Sequence, residues 1–243
     1  MADVSFNYYD LHSHLLPGVD DGCVDLKESL ACLQSLERAG CHSVVCTPHM
    51  GLPHYRDNTP EQLVPRLQSL QNSASAAGLS IRLHAGGEFR LIEESVDWWQ
   101  THGVPVLGRS RYVLLDTWER QWKSHLDNSI DWLLSHNYIP ILAHPERMLL
   151  ETPEWEQSLD ELRSRGVLLQ GNFKSFADHD RPTVKARAES LLKSDAYYFL
   201  ASDSHGPASL PSRWQGLDVL RQHLNPDALH SLVWERPKQI LEG

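Results

Sequence analysis

Two histidines one residue apart, His12 and His14, open the chemistry of this chain. Two aspartates, Asp20 and Asp21, follow in the turn Gly18-Val19-Asp20-Asp21-Gly22. Further on come His49 in Thr47-Pro48-His49-Met50, Glu88 in Gly86-Gly87-Glu88-Phe89-Arg90, and Asp116 in Leu114-Leu115-Asp116. His144 lies in Ala143-His144-Pro145-Glu146-Arg147, and Asp203 and His205 lie in Ala201-Ser202-Asp203-Ser204-His205. Imidazole and carboxylate recur with no thiolate among them, a donor set that suits manganese, iron or zinc and disfavours sites built for soft metals. On an extended segment residues two apart project to one side, so His12 and His14 can share one ion. Glu88, Asp116 and Asp203 brought together would repel one another and be costly to bury unpaired; divalent cations remove that conflict.

Each motif alone has an ordinary explanation. His-x-His arises by chance, a lone His144 is more often a hydrogen-bonded core residue, Asp203 can be a helix cap and Asp21 a turn residue. The joint pattern resists these explanations, because the residues close one predicted strand after another. Strands are predicted over 8–12, 42–48, 81–88, 111–117, 139–144, 167–172 and 197–203, each apolar at nearly every position, as parallel strands covered on both faces are. Amphipathic patterns alternate with them. Asp25-Leu26-Lys27-Glu28 is a capping box ahead of the stripe Leu26, Leu30, Leu33 and Leu36, with Gly40 at the C-cap. Thr59-Pro60 starts the next helix and Gly78 ends it, and later helices are expected over 92–102, 122–136, 153–166, 182–194 and 212–224. No linker or repeat interrupts the series, which predicts one domain over 1–243. The alternation favours a β/α barrel over an open sheet without deciding between them, and barrel active sites form at the C-terminal strand ends.

The 243 residues are 41% hydrophobic and 22% charged, with a formal net charge of −10. No Lys/Arg-rich block marks a nucleic-acid surface. Neither a leader in MADVSFNYYDLHSH nor a membrane-length apolar run is evident, so no membrane insertion is expected. Cys23, Cys32, Cys41 and Cys46 form no Cys-x-x-Cys pair. They read as buried apolar residues of a reducing compartment, hence a cytoplasmic protein. Trp98-Trp99 reads as packing, and His54, His84, His102, His136 and His223, away from strand ends, are assigned no role.

The succession DLHSHLLPGVDDG, CTPHM, GGEFR, YVLLDT, ILAHPER and ASDSH resembles the polymerase-and-histidinol-phosphatase superfamily. Within it, the nearest likeness is to the bacterial metal-dependent protein-tyrosine phosphatases of capsule and exopolysaccharide production. The likeness runs from Tyr9 to Glu235-Arg236-Pro237-Lys238-Gln239-Ile240-Leu241, and the Gly-x-Asp-Asp-Gly turn together with Ala-His-Pro-Glu-Arg makes it specific. The resemblance implies a distorted seven-stranded (β/α) barrel of TIM type with three divalent ions, manganese ahead of iron or zinc. By resemblance the first ion takes His12, His14, Glu88 and Asp203, the second Glu88, Asp116 and His144, and the third Asp21, His49 and His205. Arg90 and Arg147 match positions that hold the substrate phosphate. The implied substrate is the phosphotyrosine tail of a membrane-associated tyrosine autokinase.

Three positions depart from the family pattern. Asp116 stands where Glu is common, Met50 where a second histidine is frequent, and Gly171-Asn172-Phe173-Lys174-Ser175-Phe176 where a small Gly-containing loop is usual. Residues and resemblance converge on phosphoester hydrolysis by metal-activated water, with arginines neutralising the phosphoryl oxygens. Asp203 or His205 can assist proton transfer to the leaving phenolate, and the sequence does not choose between them. The competing readings are a small-molecule phosphatase (histidinol-phosphate or nucleotide type), an amidohydrolase, and a metal-binding regulatory protein without catalysis. The oligomeric state is not legible in the sequence.

Overall fold

Pro48 has no amide hydrogen and cannot extend a strand ladder; the strand expected over 42–48 ends at Cys46, and a short second strand starts after the proline at His49. The computed structural model describes residues 6–178 and 180–243; the first five residues, part of the stretch searched for a leader, and His179 lie outside it. Its strands are β1 (Tyr8–Asp10), β2 (Cys41–Cys46), β3 (His49–Met50), β4 (Arg82–Ala85), β5 (Glu88–Arg90), β6 (Tyr112–Asp116), β7 (Ile139–Ala143), β8 (Leu168–Asn172) and β9 (Phe199–Ala201). Gly86-Gly87, without side chains to pack, interrupts the strand expected over 81–88 and leaves β4 and β5. The result is two parallel sheets, β1-β2-β4 and β3-β5-β6-β7-β8-β9, where one unbroken set of seven strands was expected. Single backbone bonds stitch them together. Within the sheets the ladders run on past the strand ends, Glu88 N–H donating to the Pro48 carbonyl at 3.1 Å and Thr47 N–H to that of Ser13 at 2.7 Å, while the edges β1 and β9 join one sheet to the other. At the far edge Asp203 N–H donates to the His12 carbonyl and His14 N–H to the Ser204 carbonyl, both at 2.9 Å.

Side chains alternate between the faces of each strand. Val113, Leu115, Leu142, Leu169 and Leu200 join a large core with the helices. Leu114, Ile141, Ala143, Phe199 and Ala201 meet Tyr9 and Val45 in a second, smaller core on the other face, to which Ile240 adds. Asp116 has the parity of Leu114, and Asp203 that of Phe199 and Ala201. These two carboxylates therefore continue the smaller core's face beyond the strands' C-terminal ends.

The helices are α1 (Leu26–Arg38), α2 (Pro60–Ala76), α3 (Ser95–His102), α4 (Ser124–Ser135), α5 (Thr152–Ser164), α6 (Pro182–Lys193), α7 (Leu210–His223), α8 (Pro226–His230) and α9 (Arg236–Glu242). The first seven match the expected set to within a few residues at each end, and α8 and α9 were not expected. The capping box forms with a shift: Glu28 N–H donates to Asp25 Oδ1 at 2.9 Å, while Glu28 Oε2 accepts from Val24 N–H at 3.1 Å. Leu26, placed in the apolar stripe, is 42% exposed, and the buried face of α1 is Ser29, Cys32, Leu33 and Leu36. Trp99 is core and packs on Phe89 and Trp132. All four cysteines are buried and free. Among the described residues no helix is long and apolar enough to cross a membrane.

Candidate metal centre

The turn that follows β1 folds back on itself because Gly22 has no side chain. A Cβ there would stand 2.1 Å from the His14 carbonyl oxygen. This closure lets Cys23 N–H reach the same oxygen at 3.0 Å and sets Asp20 against the His14 ring, Nδ1 to Oδ2, at 2.6 Å. Asp20 also accepts from His49 N–H at 3.1 Å and Gly22 N–H at 3.0 Å. His12 Nδ1 lies 2.9 Å from Gln170 Oε1, whose amide nitrogen donates to the Gly171 carbonyl and to Asn172 Oδ1. Gln170 is thereby oriented with its oxygen to His12. With both Nδ1–H groups donated, the Nε2 lone pairs of His12 and His14 face each other across 3.3 Å. Two lone pairs at that distance need a proton or a cation between them.

Carboxylates complete the arrangement. Glu88, 1% exposed, lies 2.9 Å from both His49 Nδ1 and His144 Nε2, 3.3 Å from His14 Nε2 and 3.5 Å from His12 Nε2. Asp203 Oδ1 is 3.4 Å from the Nε2 atoms of His12 and His14 and 3.3 Å from His205 Nδ1. Asp21 Oδ1 faces His49 Nε2 at 3.4 Å and His205 Nε2 at 3.6 Å. Glu88 Oε2 and Asp203 Oδ1 are buried yet receive no well-directed hydrogen bond, although imidazole nitrogens surround them. Such orphaned acceptors are costly to bury and suit a cation. Three groups of donor atoms are compact enough to hold an ion: His14, Asp21, His49 and His205; His12, Glu88 and His144; and His12, His14 and Asp203. Eight of the nine residues expected to bind metal are among them. Asp116 stands off, its Oδ1 3.9 Å from His144 Nδ1.

The electrostatics follow from crowding. Burial works to raise the carboxyl of Glu88, but the His12 and His49 imidazoles overcome it and hold Glu88 well below the usual range. Burial opposes protonation of His49, yet Glu88 and Asp21 lift it to about 10. His144 is lifted to about 9 against burial by Glu88 and Asp116. The hydrogen bond from His49 holds Asp21 at about 2. Without a cation, then, protons on the imidazoles balance the carboxylates, and a metal ion binding here displaces them. Two of these residues also hold strained backbone, His144 at φ 32° and Asp203 at φ 52°.

The family model for capsular polysaccharide synthesis, CpsB/CapC, matches residues 8–242. This chain belongs to the CpsB/CapC family. Its relatives include the tyrosine-protein phosphatase CpsB of Streptococcus agalactiae serotype V, 27% identical over 245 residues that span 96% of this chain and 98% of that protein. The tyrosine-protein phosphatase YwqE of Bacillus subtilis is 26% identical over 196 residues, 81% of this chain and 76% of that protein. A solved structure from work on YwqE and on CpsB of Streptococcus pneumoniae, described as unique metal-dependent tyrosine phosphatases, superposes with a TM-score of 0.85. It covers 96% of this chain and 94% of its own at 24% identity, a likeness of fold.

Both arginines singled out in the sequence of this CpsB/CapC member lie beside the cluster. Arg90, at the end of β5 and in register with Asp116, stacks on Trp118 at 3.9 Å. Arg147 donates to Asp180 Oδ2 at 2.6 Å. The sequence reading missed the residues that orient the cluster. Asp20 was noticed in the Asp-Asp turn but given no task. Gln170 and Asn172, the latter donating to Asp203 Oδ2 at 2.7 Å, carried no signal beyond their parity on β8. Glu146, inside Ala-His-Pro-Glu-Arg, is fully buried and accepts from Asn172 N–H, Ser175 Oγ and Tyr197 Oη at 2.7–3.0 Å.

Proposed function

We propose that this chain is a metal-dependent protein-tyrosine phosphatase whose substrate is the phosphotyrosine tail of a bacterial autokinase in capsule or exopolysaccharide synthesis. The observation that carries the reading is the pair of Nε2 lone pairs facing each other beside the orphaned Glu88 and Asp203 oxygens, in a chain of the CpsB/CapC family. The stitched sheets support a distorted (β/α) barrel in a single domain. His12, His14, Glu88 and Asp203 would hold one ion, Glu88, Asp116 and His144 a second, and Asp21, His49 and His205 a third. Imidazole and carboxylate donors favour manganese, with iron or zinc as alternatives. Ions held by these residues would lower the pKa of a bound water toward about 7 (the value with zinc) and would neutralise phosphoryl charge.

The chain's own residues do the rest. Asp20 and Gln170 fix the tautomers of His14 and His12, so that each presents a lone pair in one direction. Arg147 and Arg90 bind phosphoryl oxygens, for which the guanidinium fork is suited. The Asp180 and Trp118 contacts hold those forks in place before substrate arrives. Asp203 or His205 would assist proton transfer to the leaving phenolate, whose conjugate acid has a pKa of about 10 and needs little help. Asp21, 58% exposed, marks the open side of the cluster, which suits a flexible tail. The absence of a membrane-length helix among the described residues is compatible with work in the cytoplasm.

The test is hydrolysis of a phosphotyrosine peptide by manganese-loaded protein, with histidinol phosphate in parallel and a chelator control. Chelator-sensitive release from the peptide well above histidinol phosphate is the expected result. Release from histidinol phosphate alone would move the chain to small-molecule phosphatases, and release from neither would remove the reading.

A further inference from the structure

Glu146 joins two loops at the rim of the cluster through its 2.7 Å bond from Ser175 Oγ. Each loop carries a cation beside that junction, since Arg147 follows Glu146 and Lys174 precedes Ser175. The second loop has a fixed backing. A Cβ on Gly216 of α7 would stand 1.8 Å from the Phe173 carbonyl oxygen, so the turn Phe173–Phe176 lies directly against the helix. Arg147 and Lys174 thus flank, in sequence, a junction whose two loops are fixed by these contacts.

The cations here differ in what occupies them. Arg147 is paired with Asp180, and Arg90 is stacked on Trp118. Arg213 is buried and spends its donors on the carbonyls of Ser202, Asp203 and Ser209. Lys174 is half-buried, lies within electrostatic reach of Arg147, Arg213, Asp180 and Asp203, and among the described residues makes no hydrogen bond or ion pair through Nζ. Burial first, then the two guanidinium groups, push its pKa down. An uncommitted ammonium crowded by two like charges is relieved by a bound anion.

We propose that Lys174 is a substrate-binding residue that, with Arg147, grips the phosphoryl group of a phosphomonoester dianion bound beside Asp203. The inference rests on the phosphatase reading above and adds a residue to its site. Asn172, two residues before Lys174 and at the start of the same turn, donates to Asp203 Oδ2 at 2.7 Å, which sets the turn that carries Lys174 beside the reacting end of the substrate.

The experiment compares wild type with K174M and K174R on para-nitrophenyl phosphate and on a phosphotyrosine peptide with uncharged flanks, and measures inorganic phosphate binding by calorimetry. A hydrogen bond to a charged group predicts a loss in kcat/KM of about 10- to 100-fold for K174M on both substrates. Phosphate affinity should weaken alongside, and K174R should recover most of both. A loss confined to the peptide would overturn the proposal in favour of peptide recognition, and unchanged kcat/KM with unchanged phosphate affinity would overturn it outright. Melting temperatures show that each variant folds. If wild type hydrolyses neither substrate, the phosphatase reading falls, and the phosphate titration still decides the role of Lys174.

Discussion

Replacing Glu88 by Gln takes one negative charge from among four imidazoles. The carboxylate lies 2.9 Å from His49 and His144, 3.3 Å from His14 and 3.5 Å from His12, at 1% exposure, so no water substitutes for it. Manganese at one hundred times its dissociation constant stabilises the folded chain by about 2.7 kcal/mol. For a domain of this size that is a rise of about 5–10 °C in melting temperature. Glu88 would serve two of the ions, and losing it should weaken binding by at least about 100-fold, as much as the loss of a supporting residue costs at most. At the same manganese concentration the gain then falls to about 0.4 kcal/mol, or about 1 °C. The assay is calorimetric melting of chelator-stripped wild type and E88Q, each against its own metal-free baseline. A wild-type shift that survives intact in E88Q, or no shift in either protein, refutes the placement of a metal at Glu88.

His144→Ala should lose bound metal and turnover together, whereas Arg147→Ala should keep its metal content by elemental analysis and lose about 10- to 100-fold in kcat/KM; undiminished turnover in Arg147→Ala would end its assignment to the phosphate. Asp10 is fully buried, and burial outweighs its bonds from Ser202 and His12 to raise its carboxyl to about 6. The folded chain therefore keeps a proton that the unfolded chain releases near pH 4, and stability falls as pH rises from there to about 6, by roughly 3 kcal/mol in all. Urea unfolding of Asp10→Asn against wild type, both metal-free, should show the variant gaining that amount between pH 4 and pH 7, and a pH-independent difference would contradict the shift. Gly216→Ala would ordinarily gain about 1 kcal/mol in a helix. Here the overlap with the Phe173 carbonyl should reverse the sign to a net loss of about 1–3 kcal/mol, read from the urea midpoint.

What was legible in the sequence is what depends on local pattern. Both-face burial of parallel strands leaves continuous apolar runs, and the residue types that close those runs announce a ligand cluster before any contact is known. What was not legible depends on contacts between distant segments. Gln170 orients His12 from 158 positions away, and nothing near either residue specifies the pair. Asp20 and Asp21 make the point within one turn. They are chemically identical neighbours, yet the Asp20 side chain is fully buried against His14 at 2.6 Å while Asp21 is 58% exposed and faces His49 and His205. One orients a ligand and the other offers itself as one. The difference comes from how closely Gly22 lets the turn approach His14, a distance that the motif's letters imply only once the strand beside it has been placed. Asp116 shows both sides. Its departure from Glu was marked by the resemblance, and its place at the end of an apolar run was readable, but its 3.9 Å distance from His144 depends on how β6 and β7 are paired.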